Sequence, residues 1–199
     1  MARTTAGVVA MVAVEAMMRT GVAARTDAAP GREMTVVLHV TDRVPVAARD
    51  LVEAEKHVAR VYEAIGVRVI WSQGAAALAT VDGALHMDVV MPSRDGVHQK
   101  CRAEHIADDV FGSAAGPTKR AYTFFGRIAD HARLTGSSVS TVLGLVIAHE
   151  VGHLLLPAFS HSPSGIMRAH WQGRISEVPR FTSEQGTTIR ALLMAANGN

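Results

Sequence analysis

His149, Glu150 and His153 are the residues of this chain whose types and spacing most directly imply chemistry. Two histidines four positions apart on a helix rise from one face about a turn apart, so both imidazoles can reach one metal ion. Zinc is the ion expected, held by imidazole nitrogens at about 2.0–2.1 Å. Glu150 starts one residue round the same turn, where its carboxylate can act as a general base on a water at the metal without ligating it. Two ligands and a base from one rigid element are the mechanical content of His-Glu-x-x-His. The competing reading is a pair of hydrogen-bonded core histidines. It is weakened by the surroundings: Leu143, Leu145, Val146, Ile147, Val151, Leu154 and Leu155 make the segment apolar on nearly every face. Ionisable groups buried there without partners would cost several kcal/mol, a cost that a bound metal removes.

A catalytic zinc takes three protein ligands and keeps a position for water. Three residues compete for the third place, in the order His161, Glu177, His170. Pro157 stops the helix, and a turn after it would bring His161 back beneath the first two histidines. Glu177 lies far enough downstream to arrive from a later element, but Val178-Pro179 interrupts any helix there. Ser160 or Ser162 could orient an imidazole from behind. His170 or Trp171 could line the cleft or stabilise an oxyanion, and a surface or packing role for both is the competing reading.

Elements with clear signals surround this segment. The β-branched run after Met34 predicts a strand ending near Thr41, followed by a turn over Asp42–Pro45 with Pro45 at a first helical position. Leu51, Ala54, Val58, Val61, Tyr62 and Ile65 recur at helical spacing, and Gly66 is placed to end that helix. Val67–Trp71 predicts a second strand, parallel to the first in a βαβ unit. Ser72–Gly83 reads as an Ala/Gly-rich loop, Leu85–Met91 as a strand, and Ser93–Glu104 as a polar surface loop with His98 and His105 exposed. An edge strand is expected over Val110–Ser113, another strand over Ala121–Phe125, and a short helix over Arg127–Leu134. The site helix should run from about Val139 to Leu156. Thr182-Ser-Glu-Gln185 has capping-box spacing ahead of a last helix buried through Ile189, Leu192 and Leu193.

Composition narrows the class. The 199 residues are 48% apolar, and Lys+Arg at 20 against Asp+Glu at 18 leaves +2, too little to argue for nucleic acid. Cys101 is the sole cysteine, which excludes an internal disulfide framework and a cysteine-based zinc cluster. Residues 1–33 differ from the rest: an apolar run from Ala6 to Met18 and small residues after it resemble a signal peptide, although Glu15 interrupts the run. The alternatives are a secreted or periplasmic protein with a leader over 1–33, or an N-terminal extension on a cytoplasmic one. The run is too short and too interrupted to insert stably in a membrane. A single catalytic domain is expected over 34–199.

The run HEVGHLLLPAFSHSPSGIMRAHW resembles the metzincin clan of zinc peptidases. There an extended His-Glu-x-x-His-x-x-Gly-x-x-His motif precedes a tight turn containing methionine. Ser164-Gly165-Ile166-Met167 fits that Met-turn, which implies that Met167 lies under the zinc as an apolar floor. This chain departs from the pattern: Leu156 stands at the motif's glycine and Phe159 at its third histidine, so His161 arrives two residues late. The resemblance implies an α+β, zincin-like fold. Its parts would be a mixed twisted sheet with a βαβ start, a buried His-Glu-x-x-His helix, a Met-turn and a C-terminal helix. It implies a metal-dependent endopeptidase with one catalytic Zn2+, ligands His149, His153 and His161, Glu150 as base, and a peptide or protein substrate. A gluzincin-type hydrolase using Glu177 and a non-catalytic zinc-binding module are the alternatives.

Overall fold

The computed structural model of the chain describes residues 33–73 and 83–197. The expected leader, apart from Glu33, and most of the Ala/Gly-rich stretch before Gly83 lie outside the described residues. Strand β1 (Thr35–Asp42), helix α1 (Ala48–Glu63) and strand β2 (Arg68–Gln73) form the expected βαβ unit, with β1 and β2 parallel. Val36 and Leu38 are fully buried, as the β-branched run requires, and the α1 stripe from Leu51 to Tyr62 faces the same core. The chain leaves α1 through Gly66 at φ +74°, the left-handed conformation that favours glycine. Pro45 is not the first helical residue. The Val46 N–H donates to the Val44 carbonyl (2.9 Å), closing a three-residue turn round the proline, and α1 opens only at Ala48.

Strand β3 (Leu85–Met91) pairs parallel with β1. The next segment corrects the sequence expectation, because Arg94–Glu104 is a helix, α2, rather than a loop. It lacks an apolar stripe, and Cys101 is its one buried residue. Instead, the Ser93 hydroxyl caps it by accepting from the Gly96 N–H (3.3 Å), and Lys100 pairs with Glu104 four residues on (2.6 Å). A helix held by its cap and its charges gives no hydrophobic periodicity to read. His98 and His105 are exposed, as expected.

The edge strand exists, but as β4 (Gly112–Ala115), two residues later than predicted, and it runs antiparallel to β5 (Arg120–Thr123). Val110 is kept out of the strand because Arg127 Nη1 donates to both the Ala107 and Val110 carbonyls (2.7 Å each). The five strands lie in the order β2-β1-β3-β5-β4, all parallel except β4. Helices α3 (Phe125–Thr135), α4 (Val139–Leu155) and α5 (Ser183–Asn197) complete the architecture, which is the α+β arrangement expected.

α4 is buried on every side over its first three turns, as its uniform apolarity demands. It packs closely on α1 at Gly144, where an added Cβ would lie 2.7 Å from His57 Cβ. The Tyr62 hydroxyl donates to the Ala148 carbonyl (3.1 Å), so α1 pins α4 one residue before His149. At α5, Thr182 and Gln185 exchange the two bonds of a capping box (3.0 and 3.3 Å). Ile189 and Leu193 are buried below it, whereas Leu192, expected with them, is on the outer flank and 39% exposed. No helix among the described residues is long and apolar enough to cross a membrane.

Candidate metal centre

α4 presents His149 and His153 as one-turn neighbours, with ring centroids 4.7 Å apart and their Nε2 atoms 3.0 Å apart. Leu156 is extended (φ −111°, ψ 158°), the conformation a following proline imposes, and the helix ends there. The chain then reverses through Phe159 at φ +61° and returns His161, whose Nε2 lies 3.1 Å from that of His153. The ligand atoms of the three histidines all lie within 4.8 Å of one another. Among the described residues this is the one such group of three or more histidine, cysteine or acidic side chains. Glu177, exposed, and His170 stand outside it.

The bonds behind the rings favour metal binding. A carbonyl oxygen can only accept, so the 2.8 Å contact between His149 Nδ1 and the Ile166 carbonyl fixes the proton on Nδ1. In the neutral ring Nε2 is then a bare lone pair facing the other two histidines. Burial holds the His149 pKa below its ordinary value, opposed in part by the Ile166 bond. Burial, with the neighbouring His149 and His161, brings His153 down to about 4. Both rings are therefore neutral near pH 7. Tetrahedral ligands at about 2.05 Å from a zinc ion stand about 3.3 Å apart. The observed 3.0 and 3.1 Å fit that set with a slight opening of the rings. His153 Nδ1 meets the Ser160 hydroxyl (3.1 Å), while Ser162 Oγ donates to the Ser164 carbonyl and accepts from Gln185. Of the two serines weighed from sequence, Ser160 is the one behind an imidazole.

The turn that carries Met167 is built from backbone bonds. Gly165 has φ +75°, and a Cβ there would lie 2.8 Å from the Arg180 carbonyl, so only glycine fits. The Ser162 N–H donates to the Met167 carbonyl and the Ile166 N–H to the Arg180 carbonyl (2.8 and 2.9 Å). Met167 is fully buried, with its sulfur 2.7 Å from where a Cβ on Gly152 would stand. The glycine between Val151 and His153 is thus the space that admits the thioether beneath the helix.

Glu150 is 6% exposed, and burial pushes its carboxyl up to about 8. It faces the same cleft as the histidines, a cavity of about 1040 Å³ that Gly112–Ala114 of β4 also lines. His170 and Trp171 line it too, His170 while exposed, and Arg168 covers the Trp171 ring at 5.4 Å. Three parts of the site had no sequence signal: the Ile166 carbonyl, because any residue carries one, and Gly112 and His131, which line the cleft and whose place depends on packing. Cys101 is buried against Arg127 Nη2 (3.4 Å) and belongs to no metal group.

No family model matches the chain, and no curated protein sequence matches it. Among solved structures it is similar to the archaemetzincin of Methanopyrus kandleri, with 16% identity over 82% of this chain and 98% of that one and a TM-score of 0.48. It is also similar to a Thermotoga maritima protein solved in solution, with 10% identity over 82% and 89% of the two chains and a TM-score of 0.37.

Proposed function

We propose that this chain is a zinc-dependent metallopeptidase of the metzincin type, an endopeptidase with one catalytic Zn2+ held by His149, His153 and His161. The observation that carries the reading is the convergence of three imidazole nitrogens within 4.8 Å beside a buried glutamate in one cleft. A zinc ion there would acidify a water and polarise the scissile carbonyl. Glu150 would take the proton of the attacking water and return it to the leaving amine. Without metal, burial favours its neutral form up to about pH 8, and a dication alongside favours the carboxylate that a base requires. Met167 closes the floor against water, and Ser160 and the Ile166 carbonyl hold two of the rings in orientation.

The substrate class is a peptide or protein in extended form. β4 ends the sheet and lines the cleft, so an extended segment could add to it by backbone pairing. A leader over residues 1–33 and a secreted or periplasmic location belong to the same proposal and rest on the N-terminal sequence. Against the gluzincin alternative stands the exclusion of Glu177 from the group. Against a purely structural zinc module stands the openness of the centre, because structural sites close with four ligands.

Glu150→Gln tests the reading. It should bind zinc as wild type does and lose cleavage of a peptide library by about 100-fold or more, the usual scale for a missing acid–base group. Undiminished cleavage by that variant would sink the mechanism.

A further inference from the structure

Glu150 rests on a backbone position that has no side chain. A Cβ added at Gly112 would lie 2.7 Å from both Cγ and Oε1 of Glu150, and 2.8 Å from the Tyr122 carbonyl oxygen. Carbon atoms do not approach so closely, so any other residue would displace either the glutamate or the strand. Gly112 is not at a turn. It is the first residue of β4, paired with Thr123 of β5, and glycine weakens a strand interior unless something needs the space. It is also not left-handed, since it is absent from the positive-φ glycines, so backbone conformation does not account for it.

We propose that Gly112 is a positioning residue for the base: its missing side chain is the room in which the Glu150 methylene and carboxylate lie. Edge strand β4 then fixes where the base sits, together with the helix that carries it. The helix sets the root of the side chain, whereas the strand sets its tip, and a glutamate has three torsions between the two. The same strand lines the cleft. A segment pairing with β4 would therefore meet the base at a height set by the strand itself. The catalytic meaning of this placement rests on the peptidase reading; the placement does not.

A stability cycle on metal-free, full-length protein separates the two. Glu150→Ala removes Cγ and the carboxylate but leaves the strand pairing untouched. Gly112→Ala should lower the melting temperature of the wild-type background, by on the order of 5 °C. In the Glu150→Ala background it should cost clearly less, because only the approach to the Tyr122 carbonyl remains. If Gly112→Ala prevents folding in the first background and is tolerated in the second, the proposal also stands. Equal losses in both backgrounds would overturn it, since the glycine would then serve only the approach to the Tyr122 carbonyl. No loss in either background would overturn it as well.

With zinc bound, Gly112→Ala should lower kcat by about 10- to 100-fold, the scale of an ångström's misplacement, while KM and zinc content hold. Wild-type kcat in that variant would refute the catalytic part. Active Glu150→Gln protein would instead refute the peptidase reading and leave the stability cycle to decide on Gly112.

Discussion

Two consecutive stretches build the centre by opposite means. α4 supplies His149, Glu150 and His153 from an uninterrupted helix, in which each side chain's place follows from its distance along the chain. Residues 156–182 contain no helix or strand, yet they supply His161, the buried Met167 and the carbonyl bonded to His149. Their positions follow from particular bonds: Ser162 to Met167, Ile166 to Arg180, Ile175 to the Ser137 hydroxyl, and Gln185 to Ser162. The helix keeps its geometry through burial, and most of its residues contribute to the same effect. The irregular stretch keeps its geometry through a few contacts, so a single change there should matter out of proportion to its area.

The largest expected effect lies in the irregular stretch. His161→Ala should weaken zinc binding by more than about 100-fold, beyond the 10- to 100-fold range of lost supporting residues, whereas Glu177→Ala should leave it unchanged. A competition titration against a chelator reads both. The reverse result would move the third ligand and erase the contrast between the stretches.

Next comes the cost that the helix bears for carrying a carboxyl group in its core. Between the ordinary carboxyl value of 4.5 and the folded value of about 8, the native state holds a Glu150 proton that the unfolded chain has lost. Metal-free stability must therefore fall as pH rises through that window. Glu150→Gln removes the effect, and the metal-free variant should exceed wild type by on the order of 3 kcal/mol at pH 7, with the gap closing below about pH 4.5. His153, held near 4, acts in the opposite sense below its ordinary 6.5, but it is common to both proteins and drops out of the difference. Urea titrations at several pH values measure the gap; a gap independent of pH would show that Glu150 is not buried in this way.

Gly165→Ala should destabilise by about 2 kcal/mol, because it combines a left-handed backbone with a clash at the Arg180 carbonyl. The loss should appear in zinc affinity as well as in urea midpoint, since the turn carries the Ile166 carbonyl. Loss of stability with full zinc affinity would mean that the turn does not position the ligands. Smallest of all, Phe159→Asn should stabilise by roughly 1 kcal/mol. Phe159 is left-handed at φ +61° and fully exposed, so asparagine relieves strain and forfeits no packing.

Sequence was most informative where a rule is local. The i, i+4 spacing of His149 and His153, the stripe on α1, Gly66 and the Thr182–Gln185 cap each follow from distances of a few residues. It misled where stabilisation is not periodic: α2 is held by Ser93 and by the Lys100–Glu104 pair, and β4 begins at Gly112 because Arg127 has claimed the Val110 carbonyl. From the chain alone, His161, Glu177 and His170 remained rivals for the third place.

The sequence by itself determined that two imidazoles and a carboxylate would share one buried helix, because helical spacing and apolarity are properties of consecutive residues. Only the tertiary structure decided that His161 joins them, that Ser160 rather than Ser162 backs His153, and that Glu150 lies in the space left by Gly112. Those outcomes depend on backbone carbonyls and absent side chains brought together from distant parts of the chain, and neither leaves a mark on residue type at the position it serves.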